Sequence, residues 1–150
     1  MLEFDRKGLL VPDRSLACNL DEVRRVFVEG FPDSDVRLAI FGNFLEYCRD
    51  VMEITKTNVL LVWVGGSFVT QKIIPNDIDV VVFLESAITD EYEPELKTAF
   101  KFPTSKKRYN VDAYMVRDYP VASQNFALTQ SDRLDWLSFR TKTAPQQGWC

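Results

Sequence analysis

The sequence predicts an α/β (α+β) protein in which a mixed central sheet packs against helices. Two segments with helical caps and periodicity come first, and short apolar runs rich in β-branched residues follow them. These runs are too short to be helices of their own, and polar segments separate them. Helices followed by strands with further helices between them favour a layered arrangement. At 150 residues, the chain is expected to form one domain over residues 1–150.

The N-terminal third predicts one short strand and two helices. Gly8 to Pro12 is apolar and ends at a proline, as an edge strand does. A first helix is expected from Asn19, a good N-cap, to Gly30, a good stop. A second helix is expected after Ser34, because apolar residues recur at helical spacing and are expected to form a core-facing stripe, namely Val36, Ile40, Phe44, Tyr47 and Val51.

Three strands are expected in the rest of the chain. Asn58–Gly66 and Ile78–Leu84 are nearly continuous apolar runs, which is typical of strands buried on both faces. Tyr109–Val116 alternates more. The polar segment between the last two strands is expected to be helix or loop, broken at Pro94 and Pro103.

The C-terminal part is expected to contribute little to the core. Its one amphipathic segment is short, from Ser131 to Phe139. Residues 141–150 show no apolar periodicity, and we expect them to form a loose tail.

Charge and composition narrow the chemistry. The net charge is −4, so phosphate neutralisation along a long nucleic acid is not expected. Three consecutive basic residues at 106–108 still allow the chain to bind a short anionic ligand. The chain has no histidine, which removes Ser-His-Asp hydrolases, Cys-His proteases and His-ligated zinc sites. Acid–base or metal chemistry must therefore use carboxylates, Lys, Tyr or Cys.

A cytoplasmic location is expected. The cysteines, Cys18, Cys48 and Cys150, are odd in number and scattered, which argues against a disulfide framework and for a reducing compartment. The first fourteen residues are charged throughout and contain no apolar signal-peptide core. No apolar run approaches the roughly 20 residues that a membrane helix needs.

Two aspartates at the start of a strand are the first candidate functional feature. Asp77 and Asp79 are two residues apart, so in a strand they project from the same face. The residues of the other parity are expected to face the core, namely Ile78, Val80, Val82 and Leu84. Two carboxylates at about 4–5 Å repel by roughly 3–4 kcal/mol at an effective dielectric near 20. A divalent cation, above all Mg²⁺ with its preference for hard oxygen ligands, would relieve this repulsion. The alternative is that Asp77 closes a turn and Asp79 is solvated.

A glycine-rich turn precedes the aspartates. Gly65 and Gly66 end the preceding apolar strand, and glycines allow a tight bend and a close approach of a ligand. If residues 67–72 begin a helix, Ser67 is its N-cap, and the free N–H groups there favour an anion such as phosphate. The alternative is an ordinary turn between a strand and a helix.

Asp112 is the third candidate acid. It lies on a strand whose neighbouring residues are apolar or aromatic, where an unpaired carboxylate is costly. Alternation places Asp112, Tyr114 and Val116 on one face. The alternative is an ordinary polar residue on an edge strand.

Together these residues resemble the signature of the polymerase β-type nucleotidyltransferase superfamily. The shared pattern is Gly66-Ser67, nine residues, Asp77-hydrophobic-Asp79 and a lone Asp112 on a later strand. The string GGSFVTQKIIPNDIDVVVF is similar to small bacterial and phage proteins of the minimal branch of that superfamily. The resemblance is specific over about residues 60–85 and weaker elsewhere. It implies the nucleotidyltransferase fold.

The resemblance also implies an activity, which is Mg²⁺-dependent transfer of a nucleoside monophosphate from an NTP, with ATP expected, to a hydroxyl group. It implies that Asp77, Asp79 and Asp112 are the catalytic acids and hold two Mg²⁺ ions, with Asp112 helping to deprotonate the acceptor. Gly65, Gly66 and Ser67 would bind the triphosphate. Lys72, and with less support Lys106, Lys107 and Arg108, are further candidates for phosphate contacts. The expected acceptor is a protein or a small molecule, in a toxin–antitoxin or phage-defence setting.

Two other classes of function remain open. The chain could be a non-catalytic nucleotide- or metal-binding regulator, such as an antitoxin-like partner protein. It could also be a structural interaction module in which the aspartates only cap turns. No membrane partner is expected.

Overall fold

A computed structural model describes residues 2–11 and 16–143, with side chains described as far as Leu137. In its N-terminal third, strands β1 (Glu3–Phe4) and β2 (Leu10–Val11) form a small antiparallel pair. Helix α1 (Leu20–Arg24) continues as a wider π-helical turn to Glu29, and helix α2 spans Asp35–Thr55. The predicted caps of these two helices are confirmed. The Asn19 side chain accepts a hydrogen bond from the Glu22 amide, and that of Ser34 accepts one from Arg37.

The remaining elements build the sheet and the helices around it. The strands are β3 (Leu61–Gly65), β4 (Ile78–Glu85) and β5 (Val111–Asp118). Between β4 and β5 lie α3 (Ser86–Glu91), α4 (Glu93–Glu95, continuing as a π-helical turn to Phe100) and α5 (Thr104–Tyr109). Helix α6 (Phe126–Thr143) follows β5.

The three-stranded sheet has the order β3-β4-β5. Strand β3 runs antiparallel to β4, and β5 runs parallel to it, so the sheet is mixed. The predicted α+β class, with a mixed sheet and helices packed on it, is confirmed.

The two faces of the sheet have different partners. Ile78, Val80, Val82 and Leu84 of β4 belong to the main core, together with Phe44, Tyr47 and Val51 of α2. This parity is the one predicted for the core-facing side. The opposite face carries a second apolar cluster, in which Val81, Phe83 and Val116 pack with Trp63, Tyr114, Trp136 and Leu137. Since Trp136 and Leu137 belong to α6, that helix covers the second face.

Two predictions about buried elements were wrong. Strand β3 is not buried on both faces, because it is an edge strand of the sheet and its first residue, Leu61, is 51% exposed. In α2, Val36 is 38% exposed, while Arg37 beside it is fully buried. The remaining members of the predicted stripe in α2 are buried.

Two further differences concern the C-terminus and the cysteines. Helix α6 continues to Thr143, so residues 141–143 are helical and not part of a loose tail. Residues 144–150 of the expected tail lie outside the described residues. Cys48 is a free thiol, whereas Cys18 is disulfide-bonded, contrary to the expectation from the cysteine spacing. Among the helices described, none combines the length and the apolar character needed to cross a bilayer.

Candidate metal centre

The register of the sheet brings the predicted acids into one row. Gly65 on β3 pairs with Asp79 on β4, and Asp79 pairs with Asp112 on β5. The two rows that follow on the same face are Trp63-Val81-Tyr114 and Leu61-Phe83-Val116. The acids therefore form the polar end of the face whose apolar end α6 covers.

The three carboxylates meet at this end of the sheet. Asp77 lies one residue before β4 begins and two residues before Asp79. One oxygen from each of Asp77, Asp79 and Asp112 lies within 4.8 Å of the other two. All three residues are partly buried. The structure thus brings together the three acids that the sequence singled out from two separate segments.

The glycine bend touches this cluster. Gly66 has a φ of +74°, a conformation that favours glycine, and follows directly after β3. A Cβ atom at Gly66 would lie 1.9 Å from Asp79 Oδ2, so the backbone here approaches the carboxylate closely. The bend that was expected to contact a phosphate is therefore adjacent to the acids.

The prediction that Ser67 caps a helix over residues 67–72 was wrong. Only a short 3₁₀ turn, Gly66–Val69, forms, and Ser67 lies inside it. The physical reason is Arg37 of α2, whose guanidinium takes the carbonyls of Phe68, Thr70 and Lys72 as hydrogen-bond acceptors. Those carbonyls are then unavailable to helical N–H groups, so the chain leaves the turn in an extended path.

Arg37 is the residue that sequence reasoning missed. Its side chain is fully buried and also donates to the Phe27 carbonyl at 2.9 Å. Burial lowers the pKa of Arg37 to about 10, so it remains charged at neutral pH. An arginine that precedes Phe41 and Phe44 by four and seven residues was the available signal, since it lies on the apolar face of the helix.

Among the predicted phosphate contacts, Lys106 joins the cluster itself. Its Nζ donates to Asp77 Oδ2 and lies 3.0 Å from Asp112 Oδ1. Partial burial lowers the pKa of Lys106, but the hydrogen bond to Asp77 and the negative charges of Asp77 and Asp112 outweigh it, and the net direction is upward.

The other predicted cations lie elsewhere. Lys72 is exposed, and its described hydrogen bonds are made by its backbone: the carbonyl accepts from Arg37, and the N–H donates to the Thr70 hydroxyl. Lys107 is exposed, and the Arg108 guanidinium lies 5.1 Å from the ring centre of Tyr109. Of the basic run, Lys106 is thus the member that faces the acids.

Contacts around α5 hold Lys106 and the acids in place. The buried Ser105 hydroxyl accepts a hydrogen bond from the Ala113 amide of β5 at 3.3 Å. Asn110, with a φ of +57°, ends α5, and its side-chain amide donates to the Asn76 carbonyl at 3.1 Å. The second bond ties the start of β5 to the residue before Asp77.

The donor set fits a hard divalent cation. Asp112 Oδ1 is shielded from solvent and accepts no hydrogen bond; its contact with Lys106 is an ion pair. The carboxylate of Asp79 lies in a cradle that a Cβ at Gly66 would fill. Three carboxylates that meet at one point, one of them with a buried oxygen that accepts no hydrogen bond, suit Mg²⁺ or Mn²⁺, with water or phosphate oxygens completing the shell.

The electrostatics of the cluster centre on Asp79. Burial, and after it the negative charges of Asp77 and Asp112, raise the pKa of Asp79 to about 6 against a smaller lowering effect of Lys106. In the folded protein without a metal, the charged form of this side chain is therefore less favourable than it is for an aspartate in water.

We expect a pH dependence of stability from this residue. Because the folded pKa of about 6 exceeds the ordinary value of 3.8, the contribution of Asp79 to stability is complete below about pH 4 and is lost as the pH rises through 6. A shift of this size corresponds to roughly 2–3 kcal/mol. The measurement is urea unfolding in EDTA across this window, for wild type and for Asp79→Asn, which cannot titrate. The stability of wild type relative to the variant should fall with rising pH. Parallel curves for the two proteins would contradict this assignment.

The fold and the site define an α/β protein with a three-carboxylate candidate metal centre at one end of a mixed sheet. The chain belongs to a family of unknown function, DUF6932, whose profile matches residues 2–149. No curated protein and no solved structure matches it significantly.

Proposed function

We propose that this chain is a metal-dependent nucleotidyltransferase that moves a nucleoside monophosphate from an NTP, with ATP expected, to a hydroxyl group of a protein or small molecule. The observation that carries the proposal is the meeting of Asp77 and Asp79, at the start of β4, with Asp112 of β5. The Gly66 bend, in contact with Asp79, is the second part of the expected arrangement and supports the same reading.

The reaction assigns a role to each group. The acceptor oxygen bonds to the α-phosphorus, the bond from that phosphorus to the bridging oxygen breaks, and pyrophosphate leaves. The hydroxyl proton passes to a carboxylate, for which Asp112 is the candidate. Divalent cations held by the three aspartates would neutralise charge on the phosphates. The backbone at Gly65, Gly66 and Ser67 is the candidate support for the triphosphate.

The class of acceptor is inferred from the charge of the chain. With a net charge of −4, these residues offer no overall basic surface for a long nucleic acid. A protein partner or a small molecule is therefore favoured over long nucleic acid. A toxin partner encoded beside this chain would be one such acceptor.

The test uses labelled NTPs with Mg²⁺ and a lysate of the source cells. We expect transfer of label by wild type and a drop of at least about a hundredfold for Asp77→Asn/Asp79→Asn, which removes two ligands. The matched control is Asp132→Asn/Asp135→Asn, which changes the net charge equally at two exposed positions of α6. Equal labelling by all three proteins would remove the transferase reading.

The same proteins separate the transferase from a non-catalytic binder. A ligand at 100 times its dissociation constant stabilises the folded state by about 2.7 kcal/mol. NTP-dependent stabilisation without release of pyrophosphate would indicate the regulatory alternative. No stabilisation by NTP or Mg²⁺ would leave the aspartates with a structural role.

A further inference from the structure

Lys106 takes a position among the acids that a cation would otherwise occupy. Its ammonium contacts Asp77 and Asp112 together, and these two residues lie on different segments. We propose that Lys106 replaces one of the two divalent cations expected at this centre, so that the site holds a single divalent cation while Lys106 is in place. The inference rests on the proposed function, since it concerns the metal content of the same site.

The oxygens left open by Lys106 are sufficient for one ion. Among the described residues, none forms a hydrogen bond or an ion pair with the Asp79 carboxylate. The hydrogen bond that the Lys106 ammonium donates goes to Asp77 Oδ2, and in the described part of the chain it donates none to Asp77 Oδ1 or Asp112 Oδ2. One oxygen from each of the three carboxylates would supply the protein ligands of a single hard cation, with water or phosphate filling the other positions.

The net charge of the four side chains also favours one divalent cation. Three carboxylates and one ammonium carry a net charge of −2, which one divalent cation balances. A second divalent cation would have to share Asp77 and Asp112 with an ammonium already in contact with both. The ammonium and a divalent cation bound to the same carboxylates would repel each other strongly in a partly buried site. Two ions therefore require Lys106 to leave.

Contacts of helix α5 with the rest of the fold hold Lys106 in its position. Helix α5 is fixed on one side by Ser105, which is fully buried and bonded to β5. On another side, Tyr109 packs against Tyr47 at 5.5 Å between ring centres and donates to Asp50 at 2.8 Å. Because Ser105 and Tyr109 fix helix α5 on the two sides of Lys106, the Lys106 side chain points to the acids. Lys107, by contrast, is exposed to solvent.

The test counts bound metal without nucleotide or turnover. Calorimetric and electron-paramagnetic-resonance titrations with millimolar Mn²⁺ should give one ion per chain for wild type and two for Lys106→Met. Lys107→Met removes the same charge one residue away and should bind one ion, as wild type does. Lys106→Ala is a second variant without the apolar stem, and thermal melts establish that each variant folds.

The outcomes separate the inference from the proposed function. Two Mn²⁺ ions in wild type, or one in both Lys106 variants, would overturn the inference even if the chain transfers nucleotides. One ion in wild type and two in the variants would support it even if no transfer is found. Wild type and Lys106 variants that bind no Mn²⁺ would overturn both.

Discussion

Arg37→Met is expected to lower the free energy of unfolding by about 3–5 kcal/mol. The guanidinium donates to four backbone carbonyls, those of Phe27, Phe68, Thr70 and Lys72, and is fully buried. Methionine fills part of the volume but supplies no donor, so buried carbonyls lose their partners. For a chain of this size, the loss corresponds to a fall in Tm of roughly 10 °C.

The measurement is urea unfolding followed by circular dichroism. Arg49→Met is the matched control on the same helix, because the Arg49 side chain is 67% exposed, and a change within about 0.5 kcal/mol is expected there. Arg37→Lys should recover only part of the stability, since an ammonium has three donors and no planar fork. Equal stabilities of Arg37→Met and Arg49→Met would show that the buried hydrogen bonds contribute nothing net.

Gly66→Ala is expected to destabilise the protein by about 2–4 kcal/mol and to abolish Mn²⁺ binding. The new Cβ would lie 1.9 Å from Asp79 Oδ2 and 2.9 Å from its Cγ, so the carboxylate must move. The φ of +74° adds roughly 1–2 kcal/mol for any residue with a Cβ. Unfolding in urea and Mn²⁺ titration measure the two effects.

Gly42→Ala is a control that is expected to change the free energy of unfolding in the opposite direction. Gly42 lies in the exposed middle of α2, and nothing would lie within 4 Å of its Cβ. This substitution should stabilise the protein by about 0.5–1 kcal/mol, because alanine favours the helix. In an Asp79→Ala background, Gly66→Ala should cost the backbone strain and the smaller strain of a 3.3 Å contact with the Cβ of residue 79. The full cost in that background would mean that the contact with Asp79 is not the cause.

Strand alternation predicted the face on which the acids lie, and N-cap preferences predicted where α1 and α2 start. Both depend only on residues that are close in the sequence. The alternation of β4 alone placed Asp77 and Asp79 opposite the core-facing residues, and α1 and α2 start after the expected Asn19 and Ser34. The position of Asp112 on the face shared with Tyr114 followed from the same alternation. Which strands become neighbours does not follow from alternation, and for that reason β3 was misjudged as a strand buried on both faces.

Residues that act across long sequence distances could not be predicted. Arg37 bonds to carbonyls 31 to 35 positions later, and Lys106 contacts an aspartate 29 positions earlier. Such pairs are set by how α2 and α5 pack on the sheet. The failed prediction of a helix at Ser67 has this origin, because a distant side chain took the acceptors that local rules assigned to the helix. The assignment of a nucleotidyltransferase fold and of the nucleotide itself stays a prediction.

The pairing of Asp79 with Asp112 makes the candidate centre sensitive to strand alignment. Side chains alternate between faces, so sliding β5 by a single position would turn Asp112 toward the core and bring Val111 or Ala113 to the acidic end. A misaligned sheet could be as compact as the native one and still lack the third ligand. Protection by a divalent ion during refolding would therefore report correct alignment of the strands, which a measure of collapse alone does not detect.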